Sequence, residues 1–117
     1  MDLSSTRRER RLKLRYDGVA VSAGNLLYTP IKITHFEIVD SCLNPGKRML
    51  MAQTRYIDKQ TGEVAIRPLM TESYQLIRDI EGTEDSLPHY TKIRRAKDGM
   101  LLWTTLNQEE KQILFTL

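Results

Sequence analysis

Cysteine is nearly absent: Cys42 is the only one in 117 residues, which excludes an intrachain disulfide and a four-cysteine zinc site. A lone thiol in a short chain fits a reducing compartment, and cytoplasm is the expected location. Histidine is almost as scarce. His35 and His89 are the only two and lie far apart, so no two-histidine metal motif on one helix can form. No apolar run approaches the ~18 residues that would span a bilayer. Residues 1–11 are charged and carry no apolar stretch, which predicts no secretory signal. Phosphate-cradling glycine loops are missing, and Glu84-Asp85 and Glu109-Glu110 read as solvated surface. A Cys42–His35 nucleophile pair has no flanking signature in its favour. The expectation is a non-enzyme without metal or cofactor.

What is present is ordinary globular material, 40% apolar and 28% charged, enough for one domain with one core. The charge is unevenly placed. Residues 1–16 hold Arg7, Arg8, Arg10, Arg11, Lys13 and Arg15 against Asp2 and Glu9, a net of +4. The whole chain is +3, so residues 17–117 sum to −1. A basic arm on a neutral body points to a phosphate-bearing partner, whether nucleotide, nucleic acid or anionic membrane; the bland alternative is a solvated tail. We therefore divide the chain into a flexible arm, 1–11, and a single domain, 12–117.

Within the domain the dominant period is two. Leu12, Leu14 and Tyr16 alternate with charged residues, Asp17-Gly18 follows, and Val19, Val21 and Ala23 alternate again. Two such runs about Asp-Gly predict a tight hairpin. Residues 31–39 read as a strand whose phase slips between Ile33 and Phe36, as a bulge would require. Asn44-Pro45-Gly46 is a turn. Residues 49–57 and 64–70 flank a loop ending in Gly62 and form a second hairpin; residues 90–96 and 100–105 form a third about Lys97-Asp98-Gly99. Residues 71–80 fit a short helix opened by Thr71, or nearly as well a strand, with the helix preferred. An acidic loop follows over 81–88 and leaves His89 exposed. Asn107 and Glu110 have capping-box spacing and open a terminal helix over 107–117, docked by Ile113, Leu114 and Leu117 over Trp103. The fold class expected is mostly β: a small antiparallel barrel or two-sheet fold of six or seven strands with a C-terminal helix. The methionines in the strands are read as core filler, and His35 as a hydrogen-bonded core or edge residue.

The segment Arg7 to Leu14, RRERRLKL, resembles the opening of PilZ domains, where an R-x-x-x-R motif leads into the first barrel strand. That family's second signature, D/N-x-S-x-x-G, has a partial counterpart in Asp40 to Gly46: Asp40 fits its first position, Cys42 stands at the serine position, and the glycine comes one residue late. Residues 98–110 resemble the family's last strand and helix. The resemblance implies a small β-barrel with a C-terminal helix, acting as a cyclic di-GMP receptor or as a protein adaptor. Its ligand-binding residues here would be Arg7, Arg8 and Arg11 of the arm with Asp40, Ser41 and Gly46 of the turn. Arg7 and Arg11 would meet guanine edges and phosphates, Asp40 would accept from guanine, and Gly46 would admit the ligand close to the backbone. A protein partner would read the ordered arm. The competing reading is a β-barrel nucleic-acid-binding or assembly protein, viral for example, using the arm with Lys92, Arg94, Arg95, Lys97 and Tyr90.

Overall fold

The computed structural model describes residues 12–117. One six-stranded sheet organises it: β1 (Val21–Ser22), β2 (Ile31–Asp40), β3 (Arg48–Ile57), β4 (Val64–Thr71), β5 (His89–Arg95) and β6 (Leu101–Thr104). The spatial order is β1-β4-β3-β2-β5-β6. The helices are α1 (Tyr74–Ile80) and α2 (Gln108–Phe115), with 3-10 turns at Ala23–Leu26 and Glu84–Ser86. The expected class, mostly β with a C-terminal helix, is the observed one: a curled half-barrel. It is mixed rather than purely antiparallel, because β1 runs parallel to β4.

The curl has a local cause. Segment 21–28 starts on β4, where Val21 pairs with Leu69, and ends on β5, where Leu27 bridges Ile93 and the Tyr28 amide donates to the Ile93 carbonyl at 2.7 Å. One short stretch thus touches strands three places apart in the sheet. To make the turn Tyr28 adopts φ +61, and its hydroxyl takes the Arg95 amide at 3.3 Å.

The concave inner face holds the core. Ile31, Ile33 and Phe36 from β2, Leu50, Ala52 and Tyr56 from β3, Leu69 and Ile93 are buried there, under Leu76, Ile77 and Ile80 of α1. Ile33 and Phe36 share that face because the β2–β3 register slips between Ile33 and His35, where the broken alternation predicted a bulge. The helix reading of 71–80 holds with a later start. Thr71 ends β4, and Ser73 is the cap, its Oγ accepting from the Leu76 amide at 3.4 Å. Gly82 follows the helix at φ +83. Trp103 packs on this core and donates from Nε1 to the Leu76 carbonyl at 3.0 Å, so it anchors α1 and not the terminal helix as expected. The reason is parity: Trp103 pairs with buried Ile93 on the inner face, while α2 engages Tyr90 and Lys92, which alternate away from it.

The terminal helix carries the predicted capping box. Of its three expected docking residues, Leu114 is buried, Leu117 half-buried and Ile113 exposed. The hairpins at Asp58–Glu63 and Ala96–Met100 close as predicted, with Gly62 at φ +74 and Gly99 at φ +87. His89 begins β5, half-buried, with Nε2 on the Thr83 hydroxyl at 2.8 Å, and is not the exposed loop residue expected.

The Asp17-Gly18 hairpin does not form. Residues 12–20 make no strand. The hydrogen bonds of residues 13–17 go to groups on the sheet's outer face, and the Val19 and Ala20 carbonyls accept from Arg67, instead of meeting a partner strand. Gly18 lies so close to β4 that a Cβ there would meet the Ile66 carbonyl oxygen at 2.0 Å. A type I′ turn needs positive φ at both central residues, and Gly18, at φ +92, supplies only one.

Candidate functional site

The residue pattern points to the β2–β3 turn, and its construction starts with Ser41. The Ser41 amide donates to the Lys47 carbonyl at 2.8 Å and the Lys47 amide to the Asn44 carbonyl at 3.1 Å, while Gly46 takes φ +87. The Ser41 hydroxyl accepts from the amides of Leu43 and Asn44 at 3.1 and 3.2 Å and donates to Glu72 at the end of β4. Asn44 Nδ2 adds a 2.6 Å bond to the same carboxylate. Hydrogen bonding from Ser41, then from Asn44, and the Lys47 charge hold the Glu72 carboxyl below its ordinary range.

The six candidates fall into two groups. Asp40, Ser41 and Gly46 come together here: Asp40 is exposed at the end of β2, opposite Arg48; Ser41 is buried at 3% and engaged with Glu72; Gly46 has open space where a Cβ would be. Arg7, Arg8 and Arg11 lie outside the described residues. Beside the turn a cleft of about 350 Å³ is lined by Gly46, Lys47, Arg48, Glu72, Tyr74 and Ile77. Tyr74 is 70% exposed over buried Ile77, and Arg48 reaches Glu81 at 2.6 Å.

How the chain enters this region is set by residues 13–20, a strap that crosses the outer face over 13–17 and then passes β4 at Gly18. Glu37 accepts the amides of Lys13 and Leu14 at 3.0 and 2.9 Å. His35 Nε2 lies 2.7 Å from the Arg15 carbonyl, which can only accept, so that nitrogen carries the proton. The Tyr16 hydroxyl donates to the Met51 carbonyl at 3.2 Å. Burial, chiefly, and the nearby Glu37 charge push the Tyr16 phenol far above its usual value, so it stays protonated. Gln53 holds Asp17 by both its amide and its carbonyl. Arg67 then takes the carbonyls of Val19 and Ala20 at 2.8 and 3.0 Å. The strap therefore meets β2 at Glu37, three residues before Asp40.

His35 is the hydrogen-bonded strand residue expected, with Thr34 and the strap as its partners; Glu37, Gln53 and Arg67 are the residues that sequence reasoning missed. A signal existed in Gln53 and Thr54, two uncharged polar residues that follow the apolar run Met49–Ala52 in β3. Both are buried, and each finds a partner: Gln53 in the strap, Thr54 in the Arg67 carbonyl at 2.6 Å.

The second basic cluster is partly committed. Lys92 pairs with Glu110 at 3.0 Å, and Tyr90 meets Phe115 edge-on at 4.9 Å between ring centres. Arg94, Arg95 and Lys97 are exposed. His35 is engaged with Thr34 as well as the strap, and Cys42 is exposed in the turn. Among the described residues no group of three or more histidines, cysteines or carboxylates could hold a metal ion, and no helix is long and apolar enough to cross a membrane. No family model, curated protein or solved structure matches the chain.

Proposed function

We propose that this chain is a non-catalytic binding module that receives a phosphate-bearing ligand, a cyclic dinucleotide such as cyclic di-GMP in the first instance, between its arginine arm and the β2–β3 turn. The observation that supports it is the course of the strap. Lys13 and Leu14 are fixed on Glu37, and Asp40 lies three residues on, about 10 Å along an extended strand. Arg11 is two residues before Lys13, about 7 Å of extended chain, and Arg7 is about 20 Å before it, so the arm's reach covers the turn. Guanidinium groups would bind phosphate through paired charge-assisted hydrogen bonds, and Asp40 would accept from guanine nitrogens. Ser41 would act indirectly, by holding the turn on Glu72. Ordering the arm over the ligand would then present a new surface to a protein partner, as in PilZ-type adaptors.

Calorimetric titration with cyclic di-GMP tests this reading, run beside an Arg7→Ala/Arg11→Ala double variant and a short single-stranded oligonucleotide. Saturable dinucleotide binding that the double variant loses is the expected result. The exposed Arg94, Arg95 and Lys97 favour a second reading, nucleic-acid binding by charge. Oligonucleotide binding that falls steeply with salt, with no dinucleotide binding, would replace the first reading by the second.

A further inference from the structure

We propose that the outer face of β2 and β3 is a groove that grips an extended segment by its backbone, and that residues 13–17 of a second copy of this chain are its alternative occupant, exchanged about Gly18. Glu37, His35 and Gln53 contact amides and carbonyls of the strap; the one strap side chain that bonds to the groove floor is Tyr16, on the Met51 carbonyl. Backbone groups are the same in every chain, and the identical segment of another copy brings the tyrosine as well. The occupant therefore fits equally in trans.

Two further observations favour exchange. The groove requires an occupant: Met51 and Gln53 are only 8 and 3% exposed where Tyr16 and Asp17 meet them, and losing the strap would leave the Gln53 amide without its partners. The occupant itself is held lightly, since Lys13, Leu14, Arg15 and Asp17 are exposed, and a segment that buries so little opens locally at low cost. What keeps the strap on its own sheet is the passage at Gly18, with φ +92 and the Ile66 carbonyl where a side chain would begin, followed by Val19 at 75% exposure. Any other residue at 18 obstructs that passage while leaving the groove and residues 13–17 unchanged. Reciprocal exchange between two copies closes on itself as a two-fold dimer.

Cys42, exposed and the only cysteine, is the label site for the test. Full-length Gly18→Ala protein, half carrying a donor dye and half an acceptor, is expected to elute as a dimer and to transfer energy after mixing. Adding Asp17→Pro removes the amide that Gln53 accepts without altering the sheet, and should weaken that dimer about tenfold or more. Wild-type protein, warmed near its transition at high concentration and cooled, should give the same transfer, which covers the case in which Gly18→Ala does not fold. A folded, monomeric Gly18→Ala chain at every concentration overturns the proposal, as does a dimer indifferent to Asp17→Pro. If Gly18→Ala is unfolded, absence of transfer in the wild type overturns it.

Discussion

Gln53 holds the backbone of Asp17 with both ends of its amide: Oε1 accepts the Asp17 N–H at 2.6 Å, and Nε2 donates to the Asp17 carbonyl at 2.9 Å. The Gln53 side chain supplies the donor and acceptor that a neighbouring strand would otherwise offer. Gln53→Ala is therefore expected to destabilise the chain by about 1–3 kcal/mol, since two hydrogen bonds are lost. Asp17→Ala should cost little, because among the described residues the Asp17 carboxylate pairs with Arg15, at 3.7 Å and with both side chains largely exposed. Urea unfolding of the two variants separates these outcomes.

Glu72 and Glu110 make the fold acid-sensitive in a defined direction. Both carboxyls are held below the ordinary value of 4.5, Glu72 chiefly by Ser41 and Glu110 chiefly by the Asn107 amide, with Lys92 adding to it. A depressed carboxyl contributes stability above its unfolded-state pKa and loses it as pH falls through the folded-state value. Stability should therefore decline as pH falls below about 4.5, and Glu72→Gln/Glu110→Gln should flatten that limb while lowering stability at neutral pH. Thermal melts across pH 3–7 are the check.

Removing the cap of α2 tests the reciprocal pair at Asn107 and Glu110, whose two bonds measure 2.8 and 2.9 Å. Asn107→Ala should cost about 1 kcal/mol, and Asn107→Gly only a few tenths. Because Glu110 also holds Lys92, the loss should appear as faster amide exchange in β5 as well as in α2.

Gly46→Ala separates backbone conformation from steric access. No atom lies within 4 Å of the added methyl, so the cost is that of φ +87 alone, about 1–2 kcal/mol. On the proposed reading the same methyl stands where the ligand approaches, so dinucleotide affinity should fall in a chain that is still folded. Unchanged affinity would remove Gly46 from the site.

The alternation of β2, its bulge, the glycine-closed hairpins and the Asn107 box were legible because each is a local rule written in neighbouring residues. The strap was not. Leu12, Leu14 and Tyr16 have the spacing of a strand, and Asp17-Gly18 has the composition of a hairpin turn, yet side chains 20 to 48 positions away decide their fate. Short-range pattern cannot register a competitor such as Gln53 that offers both a donor and an acceptor. Trp103 went to the wrong helix for a related reason: strand parity was readable, but which helix covers which face is a property of the whole sheet. At the turn, Asp40, Ser41 and Gly46 were grouped by the resemblance of one short segment, and the fold keeps them together because that segment is the β2–β3 turn, whereas the tie from Ser41 to Glu72 depends on how β4 ends.

The sheet is joined unevenly. β2 runs beside β3 from Lys32 to Asp40, but beside β5 only from Ile31 to Ile33, with Leu27 and Tyr28 meeting Ile93 across the same line. The molecule is thus two leaves, β2-β3-β4 and β5-β6, stitched along a short seam and backed by α1, which contributes Leu76 as the acceptor for Trp103. Where the backbone ladder is short, the leaves are joined by side chains: Ile31, Ile33 and Ile93 are fully buried along the seam and make one core of the two.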